Sequence, residues 1–201
     1  MNTLAGISTF IEEHTRIVDL LHAVNTIAGP GFWIGAGFIR NAVWDELHGI
    51  CSGPSLEPDV DVIYFDLADA SAFRDATIQA QLLEHMNEIK WSVHNQARMH
   101  IRNGDSPYLD LDDAMRHWPE TATAIAARIC GKRVEVLAPL GIDDLIGLIV
   151  RPAPCFRPQT RCLSRAYRHK ELEIALAEID DHWNLTSTSI RKFVNASLQG
   201  G

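Results

Sequence analysis

The sequence predicts a β-sheet with helices packed on it, an α/β or α+β fold. Three observations carry this. Short apolar runs with strand character recur near Phe32–Ile34, Asp59–Phe65, Trp91–His94 and Arg133–Leu137. Longer segments with helical apolar spacing stand between them. The chain has 201 residues, 46% hydrophobic and 22% charged, the make-up of a globular protein with one sizeable core.

Taken in order, a first helix is predicted from Thr9, where Thr9 and Glu12 read as a capping box before an apolar stripe through Phe10, Ile17, Leu21 and Val24. Gly29-Pro30-Gly31 stops it, and Phe32–Ile34 is a short buried strand. Gly35-Ala36-Gly37 turns into a helix over 38–47, and Gly53-Pro54-Ser55 marks a loop. Along 59–65, Val60, Val62 and Tyr64 point to one side and Asp59, Asp61 and Ile63 to the other. A helix over 70–86 leads to a third strand at 91–94, and 95–100 is readable as either strand or helix. A short helix is expected over 110–117. The Ala- and Thr-rich stretch 120–129 predicts another, stopped by Gly131. Arg133–Leu137 alternates as a strand. The segment 142–148 reads as a short helix with Asp143 and Asp144 in its first turn, where the helix dipole favours acids.

Composition shifts after Val150. Residues 151–170 hold six Lys or Arg and no acid, and a helix is expected through about 180. The organisation read from this is one domain over 1–150 with a helical C-terminal extension, 151–201, packed on it. The net charge of −8 argues against nucleic acid as a partner held by bulk electrostatics, so the basic tract reads as a solvated face balancing an acidic core. Cys51, Cys130, Cys155 and Cys162 fit neither a zinc nor a redox spacing. No export signal or membrane-length apolar run is visible, and together these features point to the cytoplasm and to no membrane partner.

The chemistry concentrates between Phe32 and Asp66. Residues two apart on a strand share a face, so Asp59 and Asp61 aim their carboxylates into one space, where a cation relieves their repulsion. Magnesium takes a few carboxylates together with phosphate oxygens. The turn at Gly35, Ala36 and Gly37 opens a helix whose first N–H groups suit a phosphate, and Arg40 stands in its first turn. The plain alternatives are a solvated acidic pair, tight strand–helix packing at the glycines, and an ion pair of Arg40 with Asp45 or Glu46. Asn95, Arg98 and His100 either contact base, ribose or phosphate, or fix the junction after the third strand. His94 and His100 lack companions at metal-ligand spacing. Trp118-Pro119-Glu120-Thr121 reads as architecture.

Gly35-Ala36-Gly37-Phe38-Ile39-Arg40-Asn41 followed by Asp59-Val60-Asp61 resembles the glycine, Arg-Asn and DxD pattern of the polymerase-β nucleotidyltransferase superfamily, particularly its CCA-adding type. The segments 33–49, 58–66, 91–108, 118–128 and 138–152 are similar to a bacterial family of small nucleotidyltransferase-like proteins. The resemblance implies an α+β fold with a mixed β-sheet flanked by helices. It implies magnesium at Asp59 and Asp61, a nucleoside triphosphate against Gly35, Ala36 and Gly37 with Arg40 and Asn41 beside it, and transfer of a nucleotidyl group to a small-molecule or protein acceptor. The superfamily's third carboxylate, expected on a neighbouring strand, has no counterpart in 91–95. Glu135 is the substitute on the next strand. Without one, the chain would bind nucleotide and not transfer it.

Overall fold

Strands β1 (Trp33–Gly35), β2 (Asp59–Tyr64), β3 (Lys90–Asn95), β4 (Ala126–Cys130) and β5 (Arg133–Leu137) form one mixed sheet in the order β3-β2-β1-β4-β5. The computed structural model describes residues 1–50 and 59–155. Two compact units divide the chain, Met1–Arg157 and Pro158–Gly201, and every described residue belongs to the first. The 53–55 loop, the helix through 180 and most of the basic tract lie outside the described residues.

Helices α1 (Leu4–Glu13), α2 (Thr15–Ile27), α3 (Gly37–Leu47), α4 (Ala72–His85), α5 (Met99–Asn103), α6 (Leu111–Arg116) and α7 (Asp143–Ile146) surround the sheet. β2 and β3 are parallel, with α4 as the crossover that a parallel pair needs; the other pairings are antiparallel. The alternation along β2 holds. Val60, Val62 and Tyr64 are buried in the main core with Leu21, Phe38 and Leu82, while Asp59 is exposed and Asp61 half-buried. Ile63 is buried on the second face, in a smaller cluster with Trp33, Met115 and Ala126 against which Trp118 packs.

Both sheet edges are met by side chains. At β3, the outward N–H of Val93 donates to Gln79 Oε1 and that of Asn95 to Asp75, both acceptors on α4. At β5, the Val134 N–H donates to Glu12 Oε1, and Ser8 Oγ donates to the Val134 carbonyl, from α1.

Two predicted elements are corrected. The first helix is two, broken at His14, and the first begins at the cap of Thr3, whose Oγ1 accepts from the Gly6 N–H; Thr9 instead donates back to the Ala5 carbonyl. Glu12 is taken by β5 rather than by a capping box. The second half of the predicted helix over 120–129 is β4. Alanine's helical preference is worth under about 1 kcal/mol per residue, and Ala126 and Ala127 are fully buried in a strand flanked by β1 and β5. Gly131, at φ +63°, makes the two-residue turn of the β4–β5 hairpin instead of ending a helix.

Candidate active site

β2 positions the carboxylates. Asp61 is the register partner of Gly35 on β1 and of Ser92 on parallel β3, and Asp59 is that of Lys90. The strand pleat puts Lys90, Ser92 and His94 on the face of Asp59 and Asp61. Lys90 Nζ lies 2.6 Å from Asp59 Oδ1. Burial pushes the Asp61 carboxyl above the usual carboxylate range; a Ser92 hydrogen bond and His94 pull it down, and the Asp59 charge pushes it up again.

One exposed and one half-buried carboxylate, the latter reluctant to ionise, form a hard-oxygen donor set that a divalent cation would relieve. Among the described residues no group of three His, Cys, Asp or Glu could hold a metal, so a magnesium ion here would take its remaining ligands from water or phosphate oxygens.

The turn Gly35-Ala36-Gly37 divides the work between its glycines. A Cβ on Gly35 would meet the Ile125 carbonyl at 3.2 Å and both Ala126 and the Trp118 ring at 3.3 Å. Packing alone requires glycine there, which is the tight strand–helix packing named above as its plain alternative. A Cβ on Gly37 would meet nothing within 4 Å. Ala36 takes φ 57°, ψ −137°, a conformation costly for a residue with a Cβ, held by its N–H donating to the Ile125 carbonyl at 3.0 Å. No side chain caps α3, and its first N–H groups have no intrahelical acceptor.

Arg40 is held inside the protein. Its Nε and Nη2 donate to Asn41 Oδ1 at 3.0 and 2.9 Å, its Nη1 reaches Glu120 Oε2 at 3.5 Å, and its guanidinium lies over the Trp44 ring. The partner is therefore Glu120, not Asp45 or Glu46, and Asn41 serves as part of the clamp on Arg40.

Asn95 and Arg98 stand apart from the carboxylate pair. Asn95 pairs with Tyr64 and is fully buried on the core side. Its side chain accepts from the Asp66 and Ala97 N–H groups and donates to the Asp66 and Asp69 carbonyls. Arg98 donates to Asp75, which also accepts from Tyr64 Oη at 2.6 Å. The expectation that both contact nucleotide gives way to the other account, a polar network fixing the strand end. His100 bonds the Ala97 carbonyl and packs on Tyr108.

Glu135 is not brought to the pair. Three strand steps separate β5 from β2, about 14 Å at the usual spacing. The Glu135 carboxylate accepts two hydrogen bonds from Arg128, whose guanidinium covers the Trp33 ring. It therefore cannot be the third carboxylate. Asp144 accepts from Thr121 and ion-pairs with Arg151, a structural use of the 143–144 acids.

Sequence reasoning passed over Lys90, Ser92 and the ring of Trp118. The alternation in 90–94 was visible, but which strand β3 pairs with, and in which register, was not.

A nucleotidyltransferase family profile matches residues 22–179, most of the chain. The chain belongs to this nucleotidyltransferase family. Among solved structures, one determined by NMR and described as revealing a CCA-adding enzyme head domain is 27% identical, with a TM-score of 0.64, covering 84% of this chain and 87% of that one. No curated protein matches. The five-stranded mixed sheet with flanking helices is the nucleotidyltransferase fold. Among the described residues no helix is long and apolar enough to cross a membrane.

Proposed function

We propose that this family member is a magnesium-dependent nucleotidyltransferase, moving a nucleoside monophosphate from a triphosphate to an acceptor. The observation that carries the reading is the shared face of Asp59 and Asp61, together with the uncapped N-terminus of α3 opening at Gly37. Asp59 and Asp61 would hold the metal, which when bound supplies charge stabilisation at the transferring phosphate. Gly37 leaves room for phosphate oxygens to approach backbone N–H groups. Ala36 holds the turn rigid, so those donors need no rearrangement when charge develops. Lys90, whose ammonium lies on Asp59, puts a cation on the face of the two carboxylates, where it would attract a bound phosphate. The net charge of −8 favours a small-molecule or protein acceptor over a long nucleic acid, even though a solved neighbour is a CCA-adding head domain.

A second reading, nucleotide binding without transfer, is favoured by one observation: β3 carries no acid beside Asp61, and Glu135 is three strands away. Calorimetry of each NTP with magnesium, on the wild type and on Asp59→Ala/Asp61→Ala, tests the site. Undiminished binding in the double variant would refute it. Pyrophosphate release with candidate acceptors then separates transferase from binding protein.

A further inference from the structure

Where the superfamily resemblance leads one to expect an acceptor-activating acid, β3 presents a hydroxyl and an imidazole. Ser92 is the direct neighbour of Asp61 across the parallel pair. Its Oγ lies 3.1 Å from Nε2 of His94, two residues on and on the same face. The other ring nitrogen, Nδ1, lies 3.9 Å from Asp75 Oδ2. Asp75 is only 5% exposed and is fixed by Tyr64, Asn95 and Arg98, so its oxygen is a stationary reference for the ring. Arg98 shares that carboxylate, and the role of the contact is to orient the imidazole. Ser92 is half-buried and His94 exposed, so a ligand on the Asp61 face can reach both.

We propose that Ser92 Oγ is itself a nucleotidyl acceptor, with His94 as the base that takes its proton. The inference rests on the functional reading above. In the step, a lone pair of Ser92 Oγ forms a bond to the α-phosphorus of a nucleoside triphosphate. The bond from that phosphorus to the α,β-bridging oxygen breaks, and its electron pair leaves with pyrophosphate. The hydroxyl proton passes to His94 Nε2. The product is a serine nucleoside-monophosphate phosphodiester, with no change of oxidation state. A phosphate bound at Asp61 would lie beside Ser92, because Ser92 and Asp61 occupy one rung of the sheet. Two acceptors face the Ser92 hydroxyl, His94 Nε2 on β3 and the Asp61 carboxylate across the rung; with Asp61 committed to a bound cation, His94 is the one left to take the proton.

The experiment incubates the full chain with each NTP and magnesium, without added acceptor, and follows intact mass and peptide mass. Expected is one nucleoside monophosphate on the peptide holding Ser92, absent in Ser92→Ala and formed about 10²–10⁴-fold more slowly in His94→Gln, with calorimetric nucleotide binding retained in both variants. Nitrogen-15 NMR of the nucleotide-free protein is expected to show His94 Nε2 unprotonated, with its resonance shifted in Ser92→Ala. Nucleotide binding without an adduct, an adduct that persists in Ser92→Ala, or a proton resident on Nε2 would each overturn this inference and leave the functional reading standing. Failure of the wild type to bind any nucleotide would overturn both.

Discussion

Gly35 on β1 stands directly across from Asp61 on β2, and the indole of Trp118 lies where a Gly35 side chain would go. The row beside the carboxylate is thus closed by an aromatic ring, while Gly37, two residues on, faces open space. The two glycines should respond oppositely to alanine. Gly35→Ala forces the Ile125 carbonyl or the Trp118 ring to move and should destabilise by about 1–3 kcal/mol. Gly37→Ala should stabilise by roughly 0.5–1 kcal/mol, as alanine does in a helix, yet weaken nucleotide binding. Denaturant melts and calorimetry on both variants check this pair.

Ala36→Gly relieves a backbone that costs about 1–3 kcal/mol for a residue with a Cβ. The variant should unfold at a higher denaturant concentration, or at the same one if glycine's unfolded-state entropy offsets the gain. It should also bind nucleotide more weakly, because the turn is no longer held in one shape. Unchanged affinity would remove the turn from the binding argument.

Asp61 should make stability and metal binding depend on pH in a stated direction. Its folded pKa is raised, first by burial, so between the unfolded value of 3.8 and the folded value the native state binds more protons. Stability from this group therefore falls as pH rises through that window, and above it the burdened carboxylate is fully ionised. Asp61→Asn should then be more stable than wild type at neutral pH without metal, an advantage that disappears below pH 3.8. Magnesium–nucleotide affinity of the wild type should drop as acid protonates Asp61. Thermal melts across pH, with and without magnesium, read both signs.

Asp75→Ala leaves Arg98 without its carboxylate and should cost about 3–5 kcal/mol. Asn95→Ala removes four hydrogen bonds at a fully buried position and should cost roughly 2–4 kcal/mol. Both losses should appear in chemical melts, with nucleotide affinity of the folded fraction little changed for Asn95→Ala.

Glu135→Gln should be nearly silent. Its pair with Arg128 is partly exposed, worth about 0–1 kcal/mol, and it lies far from the carboxylates. Loss of nucleotide binding in this variant would contradict its placement three strands away.

The carboxylate pair was legible because it depends on a period of two within a single strand, and the burial of Val60 and Val62 against the openness of Asp59 follows that period. The uses of Asn95, Arg98 and Arg40 were not legible. Their partners Asp66, Asp75 and Glu120 lie from 23 to 80 residues away, and nothing local distinguishes a polar side chain bound for a core network from one bound for a ligand. The same limit hid β4, whose alanines look helical until β1 and β5 surround them, and it misplaced Glu135, because sequence order set β5 next in line whereas the sheet order sets it at the far edge.

The side chains that meet the two outer strands have a consequence for assembly. Gln79 and Asp75 occupy outward N–H groups of β3, and Glu12 and Ser8 do the same for both outward groups of Val134. A strand from another copy, or from an extended peptide, would have to displace these contacts before it could extend the sheet. Strand addition by a second chain is therefore disfavoured at both edges of the sheet. The same plugs guard against edge-to-edge aggregation, so Gln79→Ala and Glu12→Ala are the substitutions through which that protection would first be lost.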